Sequence, residues 1–528
     1  MRTKQRMICF TVWLCLSASV IASGSQTEST DSPPNIIVFL ADDLGWGDLG
    51  CYGHPLIKTP NLDRLAAEGL RLRDCHAGAA ICSPSRGALL TGRTPARLGI
   101  YSLCNGGVHL RDEEITIPEI LKEAGYSTFF AGKWHLGELT GGNHPNPGKH
   151  GFDHWYAASN GKPTTYRSKG FVENGRALKE PPDGYYCDVI VEKAIQWIKQ
   201  RNPSKPFFLE LCSSEPHEPV TPAPTYAAMY DNDRIREMEI QVRRGGLPFP
   251  PWQLNRPELS RQYYGIVTQL DNAVGTLMKA LDEMGLANNT LLFFTSDNGP
   301  EYHEWIFPNR RTYGSTGGFR GAKRFLYEGG VRVPGIVRWP ARIKPGRVGD
   351  ELVSSVDLLP TICEIVGAEV PQDCLIDGTS ILPLFDGKSI QRNDPLLWHG
   401  ARTDIPQFSM RQGDETMVAY IKPPQEGQTK YDWLSTSDID LVEYYDLSID
   451  PFQEVELSEH RPERFKQLRQ SFLLSIEELR RDMYVWKDVK YTKPVSAMVN
   501  WNKGKWNRQI KNQGTFEEKM RPEKNRQH

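Results

Sequence analysis

The chain has 528 residues, 39% of them hydrophobic and 24% charged, with a formal net charge of -2. That length exceeds the size at which a single hydrophobic core stops growing, so one large domain and a smaller one are expected. The near-neutral balance excludes a general nucleic-acid or membrane-surface binder, since either needs a basic excess.

At the N-terminus, Arg2, Lys4 and Arg6 precede the apolar run MICFTVWLCLSASVIA, and Ala22, Ser23 and Gly24 follow. This is the pattern of a secretory signal peptide over residues 1–24, with an uncleaved anchor as the alternative. No later stretch is apolar and long enough to span a membrane. The chain is therefore expected to be exported, to a periplasm, an endomembrane lumen or the exterior, where disulfides form. Eight cysteines remain after residue 24 (51, 75, 82, 104, 187, 212, 363 and 374). A local bridge between Cys363 and Cys374 is expected.

Next, NIIVFLA is a continuous apolar run of the kind found in strands buried on both faces, and it ends at Asp42 and Asp43. In TPNLDRLAAEG, Thr59 can cap a helix, Pro60 suits its first position and Gly69 suits a left-handed stop. In CSPSRGALLTGR, Ser83 and Pro84 can open a second helix, which Gly92 ends. Further along come a helix at IPEILKEAG, strands at YSTFFAG and PFFLELC, the amphipathic helix YYGIVTQLDNAVGTLMKALDEMG and a strand at NTLLFFTSDNG. Strands alternating with helices predict an α/β sheet over a catalytic region, residues 34–395. After it, the strands ETMVAYIK and EYYDLSIDPFQEVEL and the helix ERFKQLRQSFLLSIEELRRDM predict a small C-terminal α+β subdomain, residues 396–485. The basic tail 486–528 lacks periodicity and is assigned no structure.

In α/β sheets function gathers at the carboxyl ends of the strands, and the chemistry-bearing residues fall there. Asp42 and Asp43 alone read equally well as a capped turn. Asp297 and Asn298 in TSDNG add a second carboxylate and amide, and oxygen donors suit a hard ion, with calcium favoured over magnesium. A two-metal phosphatase would prefer histidine where Asn298 stands. Lys133 and His135 in AGKWHLG are two apart and project to one side of an extended chain, as site or as surface residues. His217 in SSEPHEP and Lys323 in RGAKRFLYEGG are residue types that are commonly just solvated. Together these groups suit an anionic ester, sulfate or phosphate.

Cys82 reads two ways. It is either a buried or bridged cysteine beside a turn, or a thiol activated by a helix amino terminus and by Arg86, as in a cysteine hydrolase. Sulfuryl transfer to a thiol would leave a persistent S-sulfo adduct, so sulfate chemistry needs something other than a plain thiol.

The motifs NIIVFLADDLGWGDLGCYGHP, CSPSRGALLTGR, GYSTFFAGKWHLG, PHEP, LFFTSDNG, GAKRFLYEGGVRVP and YYDLSIDP resemble those of formylglycine-dependent sulfatases in the alkaline-phosphatase-like superfamily. The similarity is greatest to the arylsulfatase A and N-acetylgalactosamine-6-sulfatase branch. It implies a large mixed sheet flanked by helices, with a smaller C-terminal subdomain. It also implies that a maturation enzyme reading CxPxR converts Cys82 to formylglycine (3-oxoalanine). Asp42, Asp43, Asp297, Asn298 and residue 82 would then hold one Ca2+. Arg86 would steady the aldehyde hydrate and the metal-site charges, and Lys133 and Lys323 would neutralise sulfate oxygens. His217 would protonate the leaving alcohol, possession of Lys323 nearby assisting it, and His135 would take a proton from the second hydroxyl. The implied substrate is a sulfated carbohydrate or aryl sulfate.

GFDHWYAASNGKPTTY offers His154, Ser159 and Asn160 without an unambiguous family match. Arg234 to Arg261 is a variable insertion, either a substrate rim or a plain surface loop. The competing functions are a phosphonate or phosphodiester hydrolase of the same superfamily and a catalytically silent carbohydrate-binding homologue.

Overall fold

The computed structural model describes residues 32–140, 145–158, 165–236, 257–301, 313–401 and 406–486. The leader, Ser159, Asn160, most of the insertion and the tail after Trp486 lie outside the described residues. In chain order the strands are β1 (Asn35–Asp42), β2 (Leu70–Leu72), β3 (Cys75–His76), β4 (Ser127–Lys133), β5 (His154–Ala158), β6 (Phe171–Glu173), β7 (Arg176–Ala177) and β8 (Phe207–Pro216). They continue with β9 (Thr290–Ser296), β10 (Gly335–Arg338), β11 (Arg347–Gly349), β12 (Val353–Ser354), β13 (Leu396–His399), β14 (Phe408–Gln412), β15 (Glu415–Ile421) and β16 (Ile439–Asp446).

Ten of these strands form one mixed sheet in the order β11-β2-β10-β9-β1-β8-β4-β5-β6-β7. The centre, β9-β1-β8-β4-β5, is parallel throughout. Parallel strands need both faces covered, and β1 shows how the sequence supplies this. Ile36, Val38 and Leu40 enter one core with Leu89, Leu90, Ile120 and Leu121, while Ile37, Phe39 and Ala41 enter the other with Leu62, Leu65, Ile190 and Leu270. The first core packs α2 (Cys82–Thr91), α3 (Ile117–Glu123) and the helix Leu358–Val366 on one face. The second packs α1 (Pro60–Ala67), α4 (Tyr186–Gln200) and the long helix Pro257–Glu283 on the other. Each fully buried aliphatic side chain contributes about 1.5–3 kcal/mol, so the sheet is held firmly where the strand ends carry polar groups.

The strands β13 to β16 form a separate antiparallel sheet. Against it lies the helix Pro462–Asp482, whose Leu468, Phe472, Ile476 and Leu479 recur at helical spacing and are buried with Met410, Met417 and Tyr444. Ala96 and Tyr101 of the large domain join the same core.

Several local expectations are corrected. The first helix ends at Ala67, and Gly69 is no left-handed stop: a Cβ there would lie 2.2 Å from the Val337 carbonyl oxygen, so close strand approach demands the glycine. The Thr59 hydroxyl does not cap that helix; it accepts from the Gly50 amide at 2.8 Å. The second helix starts at Cys82, two residues before Pro84, with extended Ile81 as its cap residue. The Ser83 hydroxyl accepts instead from the Cys104 amide at 3.0 Å. Cys363 and Cys374 are not bridged, and all eight described cysteines are free; Cys363 is consumed by the apolar core of its helix. Trp486, assigned to the tail, packs on the large domain: its indole donates to the Gly99 carbonyl at 2.8 Å and its ring meets His109 at 4.9 Å. Among the described residues no helix is long and apolar enough to cross a membrane.

Candidate active site

β1 lies between β8 and β9, where successive parallel strands are laid on opposite sides of it, and this switch point opens a crevice beyond the carboxyl ends. Four strand ends meet there. β1 brings Asp42 and Asp43, β9 leads into Asp297 and Asn298, β4 ends at Lys133, and β8 leads into His217. Neighbouring side chains on a strand point to opposite faces, yet Asp42 and Asp43 both serve the crevice. The reason is that Asp43 turns left-handed, with φ 66, a conformation Asp tolerates better than most residues. His135 also turns left-handed, with φ 58, and it stays close enough to Lys133, Arg86, Asp42 and Lys323 to feel their charges.

From the opposite face, α2 presents its amino terminus. All ten of its residues are buried, so its position is set by packing on every side. Cys82 Sγ donates to Asp42 Oδ1 at 3.5 Å. Arg86, one turn on, donates from Nε and Nη2 to Asp297 Oδ2 at 3.0 and 2.7 Å and from Nη1 to the Lys133 carbonyl at 2.8 Å. The Lys133 ammonium binds Asp42 Oδ2. Lys323 Nζ lies 2.6 and 2.7 Å from the two oxygens of Asp43. Asn298 Nδ2 donates to Asp43 Oδ1 at 2.8 Å, and the Asp43 amide donates to Asp297 Oδ1 at 3.2 Å. His217 Nε2 lies 3.6 Å from Asp43 Oδ2. Its Nδ1 must carry the proton it donates to the Glu218 carbonyl, 2.7 Å away, because a carbonyl only accepts.

The ten candidate residues are thus gathered in one place. One ligand atom from each of Asp42, Asp43, Cys82 and His217 lies within 4.8 Å of the others. Two residues went unnoticed, Glu301 and Arg324. Arg324 Nη2 binds Glu301 Oε2 at 2.9 Å, and Glu301 Oε2 stands 3.8 Å from Lys323 Nζ. Their only sequence signal is adjacency to Asn298 and Lys323. His154 lies apart from this group, at the start of β5, paired with Glu173 of β6 at 3.2 Å.

Burial and charge act strongly here. Burial pushes the Cys82 thiol up to about 12 despite Lys133 and Lys323, so the expected helix-terminus activation is outweighed and the thiol stays protonated. Burial and the Asp42 charge raise Asp297 to about 7 in spite of Arg86. Burial would raise Asp42 too, but Lys133, His217, Arg86 and Lys323 together hold it well below the ordinary carboxylate range. Burial, then Lys133 and Arg86, keep His135 well below its ordinary value, and burial lowers His217 against the pull of Asp43. Both imidazoles are held towards the neutral form, suited to proton transfer.

The donor set fits a hard cation. Carboxylate and amide oxygens converge, and Asn298 Oδ1 is buried without a hydrogen-bond partner although its amide nitrogen is satisfied twice. A buried unpaired carbonyl oxygen is costly unless it has a ligand to meet.

The architecture is the alkaline-phosphatase-like α/β fold. It is shared with the crystal structure of Ps i-CgsB in complex with k-i-k-neocarrahexaose, at a TM-score of 0.69 and 25% identity over 86% of this chain and 94% of that one. A Sulfatase family model matches residues 34–368, and the chain belongs to the sulfatase family. It is 36% identical over 428 residues to N-acetylgalactosamine-6-sulfatase of Canis lupus familiaris, covering 76% of this chain and 72% of that protein. To arylsulfatase A of Homo sapiens it is 35% identical over 475 residues, covering 84% and 88%. The chain is a sulfuric ester hydrolase of that branch.

Proposed function

We propose that this sulfatase releases inorganic sulfate from sulfated carbohydrates through a formylglycine made from Cys82, with one Ca2+ held by Asp42, Asp43, Asp297, Asn298 and residue 82. The observation that carries the reading is Cys82 itself. It opens α2 inside a CSPSR motif, beside Asp42, yet as a thiol it is held near 12 and is a poor nucleophile. The contacts of Sγ stand in for those of an aldehyde-hydrate oxygen. Once formed, formylglycine supplies a geminal diol, one hydroxyl to attack sulfur and one through which the aldehyde is restored. Calcium, when bound, supplies Lewis acidity towards the sulfate and the hydroxyl.

The remaining chemistry belongs to the chain. Lys133 and Lys323 bring ammonium groups to the sulfate oxygens as charge develops on them. Arg86 holds Asp297 and the end of β4 in register, which fixes where Lys133 starts. His217 is locked by the Glu218 carbonyl with its proton on Nδ1 and an unprotonated Nε2 facing Asp43; Nε2 takes up the proton that the attacking hydroxyl releases and passes it to the leaving alcohol. His135, kept neutral by burial, accepts a proton from the second hydroxyl. Carbohydrate is favoured over aryl sulfate by the similarity to i-CgsB, whose structure contains a neocarrahexaose. The leader is read as directing export, and residues 34–395 as the catalytic region.

The deciding experiment is mass spectrometry of the Cys82 tryptic peptide from natively produced protein, together with sulfate release from a sulfated-saccharide panel. Replacement of the thiol by an aldehyde, and complete loss of sulfate release in Cys82→Ala, are expected. An unmodified thiol in active protein, or activity retained by Cys82→Ala, would refute the assigned nucleophile.

A further inference from the structure

Lys323 belongs to the segment 320–331, which is wedged between two parts of the site. On one side the Lys323 amide donates to the Pro300 carbonyl at 2.9 Å, and the Gly299 amide donates to Gly330 at 3.0 Å, just beyond Asp297 and Asn298. On the other side the Arg324 amide donates to Ala80 at 2.6 Å, and the Ala77 amide donates to Val331 at 2.8 Å, just before Cys82. A segment that touches both the acid cluster and the entry to α2 transmits its own position to each. Arg324 sits in it at φ 79, a left-handed conformation for a long side chain, which persists only where the surroundings over-determine it.

Those surroundings include the C-terminal subdomain. Arg411 of β14, fully buried, reaches out of its own sheet and donates from Nη1 to Glu328 Oε1 at 3.2 Å and from Nη2 to Asp74 Oδ2 at 3.0 Å. Gln453 Oε1 accepts from the Glu328 amide at 2.8 Å. Glu328 also receives Arg332 Nε at 2.6 Å and faces His76 Nε2 at 3.1 Å. Asp74, His76 and Glu328 are close enough to hold a metal ion, but the guanidinium groups of Arg332 and Arg411 already occupy their carboxylate oxygens, so this is an ion-pair network. A buried network of this kind specifies geometry more than it adds stability.

We infer that the C-terminal subdomain positions Lys323 for its sulfate, acting through Arg411 and Gln453 on Glu328. Arg411 is a positioning residue, and the inference rests on the reading of Lys323 as a sulfate-binding cation. Its test is a double-mutant cycle on the matured full chain, read as sulfate release from the sulfated-saccharide panel. Arg411→Lys keeps the charge and removes the fork; kcat should fall at least tenfold with KM within twofold, while unfolding stays a single cooperative transition above the assay temperature. In a Lys323→Ala background, which retains only residual activity, the same substitution should cause no further loss. A kcat within twofold of wild type, or an equal fold-loss in both backgrounds, overturns the inference. Should Arg411→Lys fail to accumulate as folded protein, Gln453→Leu removes one acceptor and no charge, with the same expected and overturning results. A wild type that releases no sulfate removes the functional reading and this inference with it; an active wild type with an indifferent Arg411→Lys removes the inference alone.

Discussion

His399 ends β13 and is 5% exposed, with neither ring nitrogen hydrogen-bonded and the Tyr101 ring at 6.0 Å. Burial lowers its pKa from the ordinary value of 6.5 to about 4. The unfolded chain therefore takes up this proton near pH 6.5, and the folded chain only near pH 4. The neutral histidine's contribution is intact above pH 6.5 and is lost as pH falls from there towards 4. At 1.36 kcal/mol per unit the full window is worth about 3 kcal/mol, most of which is gone by pH 4.5. The perturbation is His399→Leu, which deletes the titration and keeps an apolar side chain of similar size. Urea unfolding of wild type and variant at pH 7.5 and pH 4.5 isolates the effect. Other acid-sensitive groups, such as His150, which burial also lowers to about 4, are common to both proteins and cancel. Wild type should lose about 2–3 kcal/mol more than the variant between the two pH values. Parallel pH profiles would show that His399 is not held neutral by burial.

Two further substitutions probe the crevice itself. Gly132, at φ +113, lies where a Cβ would meet the Cys212 carbonyl oxygen at 2.0 Å, so Gly132→Ala should destabilise by more than ~2 kcal/mol in thermal unfolding; wild-type stability would contradict the close β4–β8 approach. Asn298→Ala removes the unpartnered Oδ1 and should weaken calcium tenfold or more, read as the midpoint of calcium-dependent thermal stabilisation. Saturation at a hundredfold excess over Kd is worth about 2.7 kcal/mol, and an unchanged midpoint would exclude Asn298 as a ligand.

The strands that build the crevice are legible because β1, β4, β8 and β9 are buried on both faces and so read as continuous apolar runs. Their carboxyl ends follow directly, and with them Asp42, Asp43, Lys133, His217, Asp297 and Asn298. Features set by distant contacts are not legible. The Ser83 hydroxyl caps nothing because Cys104, 21 residues on, claims it, and Pro84 is tolerated inside the first helical turn, where its missing amide is not needed. Gly69 looks like a helix stop until Val337 is placed against it. The left-handed turns fall on Asp43 and His135 themselves, with no glycine at either position to announce them. Arg411, 83 residues beyond Glu328, belongs to the C-terminal sheet, and no periodicity links the two.

The charges of the crevice bear on why an anionic ester and a cation should bind together. Three cations face three carboxylates: Lys133 with Asp42, Lys323 with Asp43, and Arg86 with Asp297. The pairs are not equivalent. Arg86 is also fastened to the Lys133 carbonyl and is almost wholly enclosed, so it holds the frame; each lysine offers a compact ammonium with three donors and a flexible stem. A sulfate ester must compete with Asp42 and Asp43 for those ammonium groups. Each carboxylate oxygen it displaces is left buried and under-compensated, which is costly unless another positive charge arrives. A divalent cation among the same oxygens would supply that charge, and it would also offset the burial and the Asp42 charge that raise Asp297 to about 7. Ester and cation thus relieve each other's cost of binding, and by linkage each must raise the affinity of the other by the same factor.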